Sequence, residues 1–309
     1  AQGLLGQPAP AGPGVLLPRP MTPRTRVLVV GGTGRTGARL VRRLLDDPTV
    51  EVLVLSRRPH HPSLEDLLPG AVKVIQGDLR DLDAWASRLA DVDVVVTAVS
   101  CGVRTDPLSV LGLRPLPGNL PAAVDGEGIA RLAWAAREHG VRRIVAVTTA
   151  SAGTPWSPPA IFLNSIRWMS VKWKFMGEQA IRESGVDYVI IRPFGLTDGA
   201  GSEETRAGLE FSQGKTEGTG RRIPRDDVAR LCHEAIGAPA SRATFECWSG
   251  PSCGQKKTFP WAELRSDPPG RLAEVNHDAA VATFVGGVGG LGSLAAARLS
   301  LRLLRFARR

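Results

Sequence analysis

The feature that most constrains this chain is Gly31-Gly32-Thr33-Gly34-Arg35-Thr36-Gly37, which directly follows the apolar run Arg26–Val30 and opens an amphipathic segment, Gly34–Leu45. Gly32, Gly34 and Gly37 have GxGxxG spacing, and Gly31, Gly34 and Gly37 have GxxGxxG spacing. Residues without Cβ let the backbone turn tightly between strand and helix and lie close against a ligand. A strand, a glycine turn and a helix in this order imply a βαβ unit.

Further apolar runs at Val52–Leu55, Val72–Ile75, Asp93–Thr97, Ile144–Thr148 and Tyr188–Ile191 read as strands, with a last one near Thr244–Trp248. They are apolar at successive positions, as in a parallel sheet covered on both faces. Helices are expected over Gly34–Leu45, Asp81–Leu89, Gly126–His139, Ile166–Glu183 and Asp226–Ile236. The fold class is therefore α/β, a doubly wound parallel sheet of Rossmann type with its ligand crevice at the switch point between the first and fourth strands. Residues 192–225 are rich in Gly, Glu and Ser, so the substrate-side region is expected to be small.

In that setting the glycine loop, residues 31–37, points to a dinucleotide pyrophosphate held on the helix N-terminus, against the alternative of a structural tight turn. After the second strand comes Ser56-Arg57-Arg58 in place of an acid. Guanidinium groups there can fork a 2′-phosphate, which favours NADP(H) over NAD(H); the other reading is a solvated basic loop. Arg35 is a second candidate for that phosphate. The strand ends Gly77-Asp78-Leu79 and Thr97-Ala98-Val99-Ser100 face the crevice, with Asp78 either accepting from adenine or capping a following helix. Pro193 and Phe194, after the sixth strand, are expected to orient the nicotinamide.

The loop at 31–37, Gly77–Leu79, Asn119–Gly128, Thr148–Ser151 and Ser184–Asp198 together resemble the atypical short-chain dehydrogenase/reductases, in particular the NAD(P)-binding NmrA-like group and plastid translocon-associated NADP(H)-binding proteins. The likeness runs from about Arg24 to Gly250. It implies a Tyr-x-x-x-Lys pair, in which the phenol moves a proton and the lysine lowers its pKa. Lys174 matches that lysine, and Ser170 stands where the tyrosine belongs; Lys174 and Glu178 also have the spacing of an ordinary i,i+4 helix pair. The one tyrosine, Tyr188, lies in a strand pattern. Thr149 and Ser151 remain as hydroxyls able to meet a substrate carbonyl. Gly126 stands where family members often carry an aromatic residue.

The net charge of +9 is concentrated at the ends: seven arginines and no acid occur up to Leu45, and five arginines and no acid after Asp278. Residues 46–278 carry 27 basic against 30 acidic groups, which argues against a nucleic-acid-binding face. The four cysteines lack metal-ligand or disulfide spacing and read as reduced thiols, and no metal set is expected. All five histidines are expected at the surface.

The expected organisation is a disordered Pro/Gly-rich segment over 1–25, an NAD(P)-binding Rossmann domain over 26–250 and an extension over 251–309. Five aromatic residues fall within 156–175. There Phe162, Ile166, Met169, Trp173 and Met176 form a helix face directed at the sheet, while Trp168, Arg167, Lys172 and Lys174 fall largely elsewhere and are left for a partner or membrane interface. Ala279–Ala297 carries no charge, and Arg298, Arg302, Arg305 and Arg309 then share one helical face. That pattern suits an anionic membrane surface or an acidic partner; a short membrane span and a helix packed on its own domain are the other readings. The expected function is an NADP(H)-binding accessory or redox-sensing subunit docked to a membrane or larger complex in an organelle, a plastid before a mitochondrion. The alternative is an NADPH-dependent reductase of a small carbonyl, quinone or flavin.

Overall fold

A computed structural model describes residues 24–58, 61, 72–102, 106, 108–109, 113–115, 117–201, 207–214, 220–252, 259–269 and 275–289. Strands β1 (Thr25–Val30), β2 (Val50–Ser56), β3 (Lys73–Gln76), β4 (Val94–Thr97), β5 (Arg143–Val147) and β6 (Asp187–Pro193) are joined by parallel pairings. Beyond them come β7 (Gly195–Thr197), β8 (Ala207–Ser212), β9 (Arg222–Pro224) and β10 (Ala243–Ser252). Among the described residues the main sheet has eight strands in the order β3-β2-β1-β4-β5-β6-β10-β8, and of their pairings only β10–β8 is antiparallel. The chain reverses direction across the sheet between β1 and β4, which places the crevice at their C-terminal ends.

The successive apolar residues of the strands are explained by what covers them. On one face Leu40, Val41 and Leu44 of α1 (Arg35–Leu45) join Val228 and Leu231 of the helix Arg225–Gly237; on the other, Leu132 and Ala136 of the helix Ile129–Glu138 join Ile181 of the helix Ser170–Ser184. In chain order these helices are α2 (Ile129–Glu138), α3 (Pro158–Ile166), α4 (Ser170–Ser184), α5 (Arg225–Gly237) and α6 (His277–Gly289).

Two helix expectations fail for identifiable reasons. Residues 81–89 form turns and a short 3-10 helix, Ala86–Asp91, because Trp85 is buried beneath Gly77 and donates its indole N–H to the Asp78 carbonyl at 3.0 Å. Anchoring one large side chain outweighs local propensity here. The helix expected over 166–183 is broken by Trp168 and Met169, whose φ angles are 51° and 60°. Fully buried Asn164 sets the break: its Oδ1 accepts from the N–H groups of Val171 (2.9 Å) and Lys172 (3.2 Å), capping α4 from the helix before.

The break also overturns the expected helix face. Phe162 and Ile166 point outward, with Phe162 60% exposed, whereas Trp168 and Met169 are buried with Leu120, Trp173 and Val281 of α6. Trp168 is therefore covered by the chain's own C-terminal segment. His277, expected at the surface, is only 2% exposed. Its Nδ1 faces Asn164 Nδ2 at 3.2 Å and its Nε2 faces the Ala152 carbonyl at 3.0 Å, an arrangement that fits a neutral ring protonated on Nε2. Burial pushes its pKa below the ordinary histidine value, more than the Ala152 hydrogen bond and Asp278 raise it. Lys172 pairs with Asp278 at 2.8 Å. Among the described residues no helix is long and apolar enough to cross a membrane; the arginine-bearing stretch 298–309 lies outside them.

Candidate dinucleotide site

The glycine loop is shaped by backbone contacts. Gly31 has φ +88°, and a Cβ there would lie 2.9 Å from the Ala98 carbonyl oxygen at the end of β4. A Cβ on Gly37 would collide with the Gly31 carbonyl oxygen, whereas on Gly34 it meets only that atom, at 3.2 Å. Gly31 and Gly37 are thus required for the turn, and Gly34 keeps its floor open. Gly34 is the N-cap of α1, with no side-chain acceptor and no acid in the first turn. The first N–H groups of α1 and its dipole are left for an anion. A cleft of about 520 Å³ lies over this loop. Its glycine cradle, helix terminus and cationic wall fit the diphosphate of a dinucleotide.

Of the residues expected to hold cofactor, Gly31, Thr33, Gly34, Arg35, Thr36, Ser56, Arg57, Asp78, Leu79, Ala98 and Ser100 line the cleft. Gly32 and Gly37 support the loop from behind. Ser56 Oγ accepts from Arg58 N at 3.2 Å and donates to the Arg58 carbonyl at 2.7 Å, fixing the strand exit that presents Arg57. Asp78 is gripped by Arg80, whose backbone N–H and guanidinium both donate to it at 2.6 to 3.0 Å. Those hydrogen bonds with Arg80 hold the Asp78 carboxyl below its ordinary range, against the opposing effect of burial. No helix begins at Asp81, so Asp78 closes a turn instead of capping one. Arg35 is tied to Asp198 at 3.2 Å, and Arg225 reaches the same carboxylate at 2.9 Å.

The other expected site residues lie off the cleft wall. Pro193 is buried, and Phe194 packs edge-on against Trp248 with the Arg221 guanidinium above both rings. Ser170 is buried at the start of α4, and Thr149 precedes the 3-10 turn Ala150–Gly153 that contains Ser151. Lys174 does not pair with Glu178. Its Nζ donates to Asp125 Oδ1 at 2.6 Å and to the Val99 carbonyl at 2.9 Å, while Cys101 N–H donates to the other Asp125 oxygen at 3.1 Å. Lys174 thereby staples the end of β4 to the turn before α2. Gly126 is accounted for as well: a Cβ there would meet the Trp173 ring at 2.7 Å, so an aromatic from α4 fills the space over this turn.

Glu178 is fully buried and serves a different network. It accepts from Arg192 at 3.0 Å and through a second, shorter bond, from Arg182 at 3.3 Å and from the Thr148 hydroxyl at 2.6 Å. Burial alone would raise its pKa, but the charge and hydrogen bonds of Arg192, then Arg182 and Thr148, hold it below the ordinary value. Arg192 also fills the space above Gly153, so the pair braces the C-terminal ends of β5 and β6.

Arg80, Cys101, Asn119, Arg167, Leu196 and Arg225 line the cleft without having been singled out for it. Arg225 had a legible signal, since it follows Pro224 and precedes two acids at a helix start. Arg167 had a fainter one in Asn164, a capping side chain inside an apolar segment.

The sequence profile of the NAD(P)H-binding family matches residues 31–239, about two thirds of the chain. An uncharacterised chloroplastic protein of Arabidopsis thaliana is 31% identical over 222 residues, 68% of this chain and 65% of its own length. The chloroplastic protein TIC 62 of Pisum sativum is 27% identical over 185 residues, which are 55% of this chain and 32% of that protein. Among solved structures, a short-chain dehydrogenase/reductase of Veillonella parvula in complex with NADP superposes with a TM-score of 0.56 at 15% identity, over 76% of this chain and 99% of that one. That likeness is one of fold. The family match, the parallel sheet and the glycine cradle agree: the chain belongs to the NAD(P)H-binding family and has a Rossmann-type fold.

Proposed function

We propose that this is an NADP(H)-binding accessory or redox-sensing protein of the plastid, docked through its C-terminal segment to a membrane or a larger complex. The observation that carries the reading is the fate of the proton-transfer residues. Lys174 is engaged by Asp125 and the Val99 carbonyl, and Thr149, Ser151 and Ser170 do not line the cleft. A bound cofactor supplies hydride chemistry; the chain's own contribution is to hold its phosphates and orient it. Stopped-flow mixing of the NADPH-loaded protein with quinones, aldehydes and flavins tests this. Tight binding without oxidation is expected, and turnover with any of them would overturn the accessory reading. A reductase is the second reading, favoured by 27% identity over 236 residues with the sanguinarine reductase of Eschscholzia californica.

Preference for NADP(H) rests on Ser56, Arg57 and Arg58 at the end of β2. Arg57→Ala is expected to weaken NADPH binding about tenfold, or about 1.4 kcal/mol, and to leave NADH nearly unchanged in fluorescence titrations. An equal loss for both would reduce Arg57 to general attraction.

Docking is supported by exposed Trp156, Phe162, Ile166 and Phe284 on and beside α3 and α6, near where the chain runs on toward Arg298–Arg309. The chloroplastic relatives support a plastid location. Removing residues 290–309 leaves α6 in place, so NADPH affinity should hold while sedimentation with phosphatidylglycerol-containing vesicles is lost. Unchanged sedimentation would remove the tail from the account.

A further inference from the structure

We propose that the cleft contains a second anion site, built on Arg167, for a small carboxylate- or phosphate-bearing ligand at the end opposite Arg57. The proposal rests on the dinucleotide reading of the same cleft.

Five arginines line the cleft, Arg35, Arg57, Arg80, Arg167 and Arg225, against the single carboxylate of Asp78. Three of them have a carboxylate partner within the protein: Arg80 pairs with Asp78, while Arg35 and Arg225 share Asp198 with Arg39. Among the described residues, neither Arg57 nor Arg167 forms an ion pair. Arg57 stands at the end of β2, where a 2′-phosphate belongs. Arg167 stands at the corner between α3 and α4, on the segment that joins β5 to β6, and both of those strands lie on the opposite side of β1 from β2. With a diphosphate on the loop and a 2′-phosphate at Arg57, the dinucleotide reading assigns no phosphate to Arg167.

The corner that presents Arg167 is constructed. Trp168 and Met169 both adopt left-handed backbone, which their Cβ atoms disfavour. Strain of this kind persists only where surroundings over-determine it, and it concentrates at ligand sites. Here buried Asn164 takes the Met169 N–H on its carbonyl at 3.0 Å and the Val171 and Lys172 N–H groups on its side chain. His277 meets the Asn164 amide, and Trp168 and Met169 are packed under Val281. A smooth helix through 166–183 would have needed none of this. At this break Arg167 lines the cleft, whose wall also includes Leu196 and Asn119. A planar guanidinium there recognises carboxylate or phosphate in a forked pair, with apolar and amide surface beside it for the rest of a small organic anion.

The test uses the full-length protein saturated with NADP⁺, titrated calorimetrically with benzoate, phenyl phosphate and neutral benzamide. At least one of the two anions should bind ten times or more tighter than benzamide, and the stronger of them shows whether carboxylate or phosphate is preferred. Arg167→Gln should weaken that anion at least tenfold while NADPH affinity, measured by fluorescence, stays within twofold. Benzamide binding as well as both anions, no anion binding to the loaded protein, or equal weakening of anion and NADPH by Arg167→Gln would each overturn the second site. A wild-type protein that failed to bind NADPH at all would overturn the cofactor reading and this proposal with it.

Discussion

Replacing Glu178 with Ala should cost about 3–5 kcal/mol of folding stability, a large share of the roughly 5–15 kcal/mol that holds a typical domain together. The carboxylate is fully buried between Arg192 and Arg182 and also accepts from Thr148. Its loss strands the buried Arg192 guanidinium; Arg182 keeps Asp267 at 3.3 Å. Urea denaturation of both proteins at neutral pH measures the difference, and a change below about 1 kcal/mol would show that the pair is solvated in solution. The pH dependence has a definite sign. The folded-state pKa lies below the ordinary glutamate value of 4.5, so the stabilisation is complete above that value and is lost as pH falls through the lower folded pKa. Glu178→Gln imitates the protonated form, so the gap between it and the wild type should narrow on acidification.

Gly34→Leu should reduce NADPH affinity at least a hundredfold, about 2.7 kcal/mol, with the fold intact. A Cβ at this position meets only the Gly31 carbonyl oxygen at 3.2 Å, and the rest of a leucine side chain extends over the α1 terminus where the diphosphate lies. The same change at Gly37 would drive a Cβ into backbone and confuse misfolding with lost binding. Lys174→Ala is the matching control: it exposes the buried Asp125 charge and lowers stability, but it removes nothing from the cleft wall. NADPH titration with thermal melting of both variants separates the two effects. Equal loss of affinity in both would mean that Lys174 contacts the cofactor.

The sheet and the glycine loop were legible because their signals are local. An uninterrupted apolar run reports burial on both faces, and glycines between such a run and a helix report a tight approach. The features that went unread depend on partners distant in sequence. Trp85 blocks a helix by bonding seven residues back, and Asn164 breaks one by capping a helix not yet begun. Trp168 looked available until α6, more than a hundred residues later, covered it. Lys174 and Glu178 have ideal spacing for each other, yet each faces a stronger partner on another element, Asp125 and Arg192. In the cleft, the loop and the Arg57 strand end could be named from motif position. The Asp198 knot and Arg167 could not, because their placement follows from how β7 and the α3–α4 corner fold back.

The position of β10 sets an order of events during synthesis. Among the described residues it is the last strand in chain order, yet it lies inside the sheet, between β6 and β8, and β8 pairs with no other described strand. About sixty residues separate the ends of β6 and β10, several seconds of translation at about 5–20 residues per second. During that interval no other described strand pairs with this edge of β6, which carries Val189, Ile190 and Ile191, and β8, once made, has no described partner until β10. Until β10 is made, that edge of β6 is open to pairing with another chain, so this is the window in which a chaperone would have to cover it.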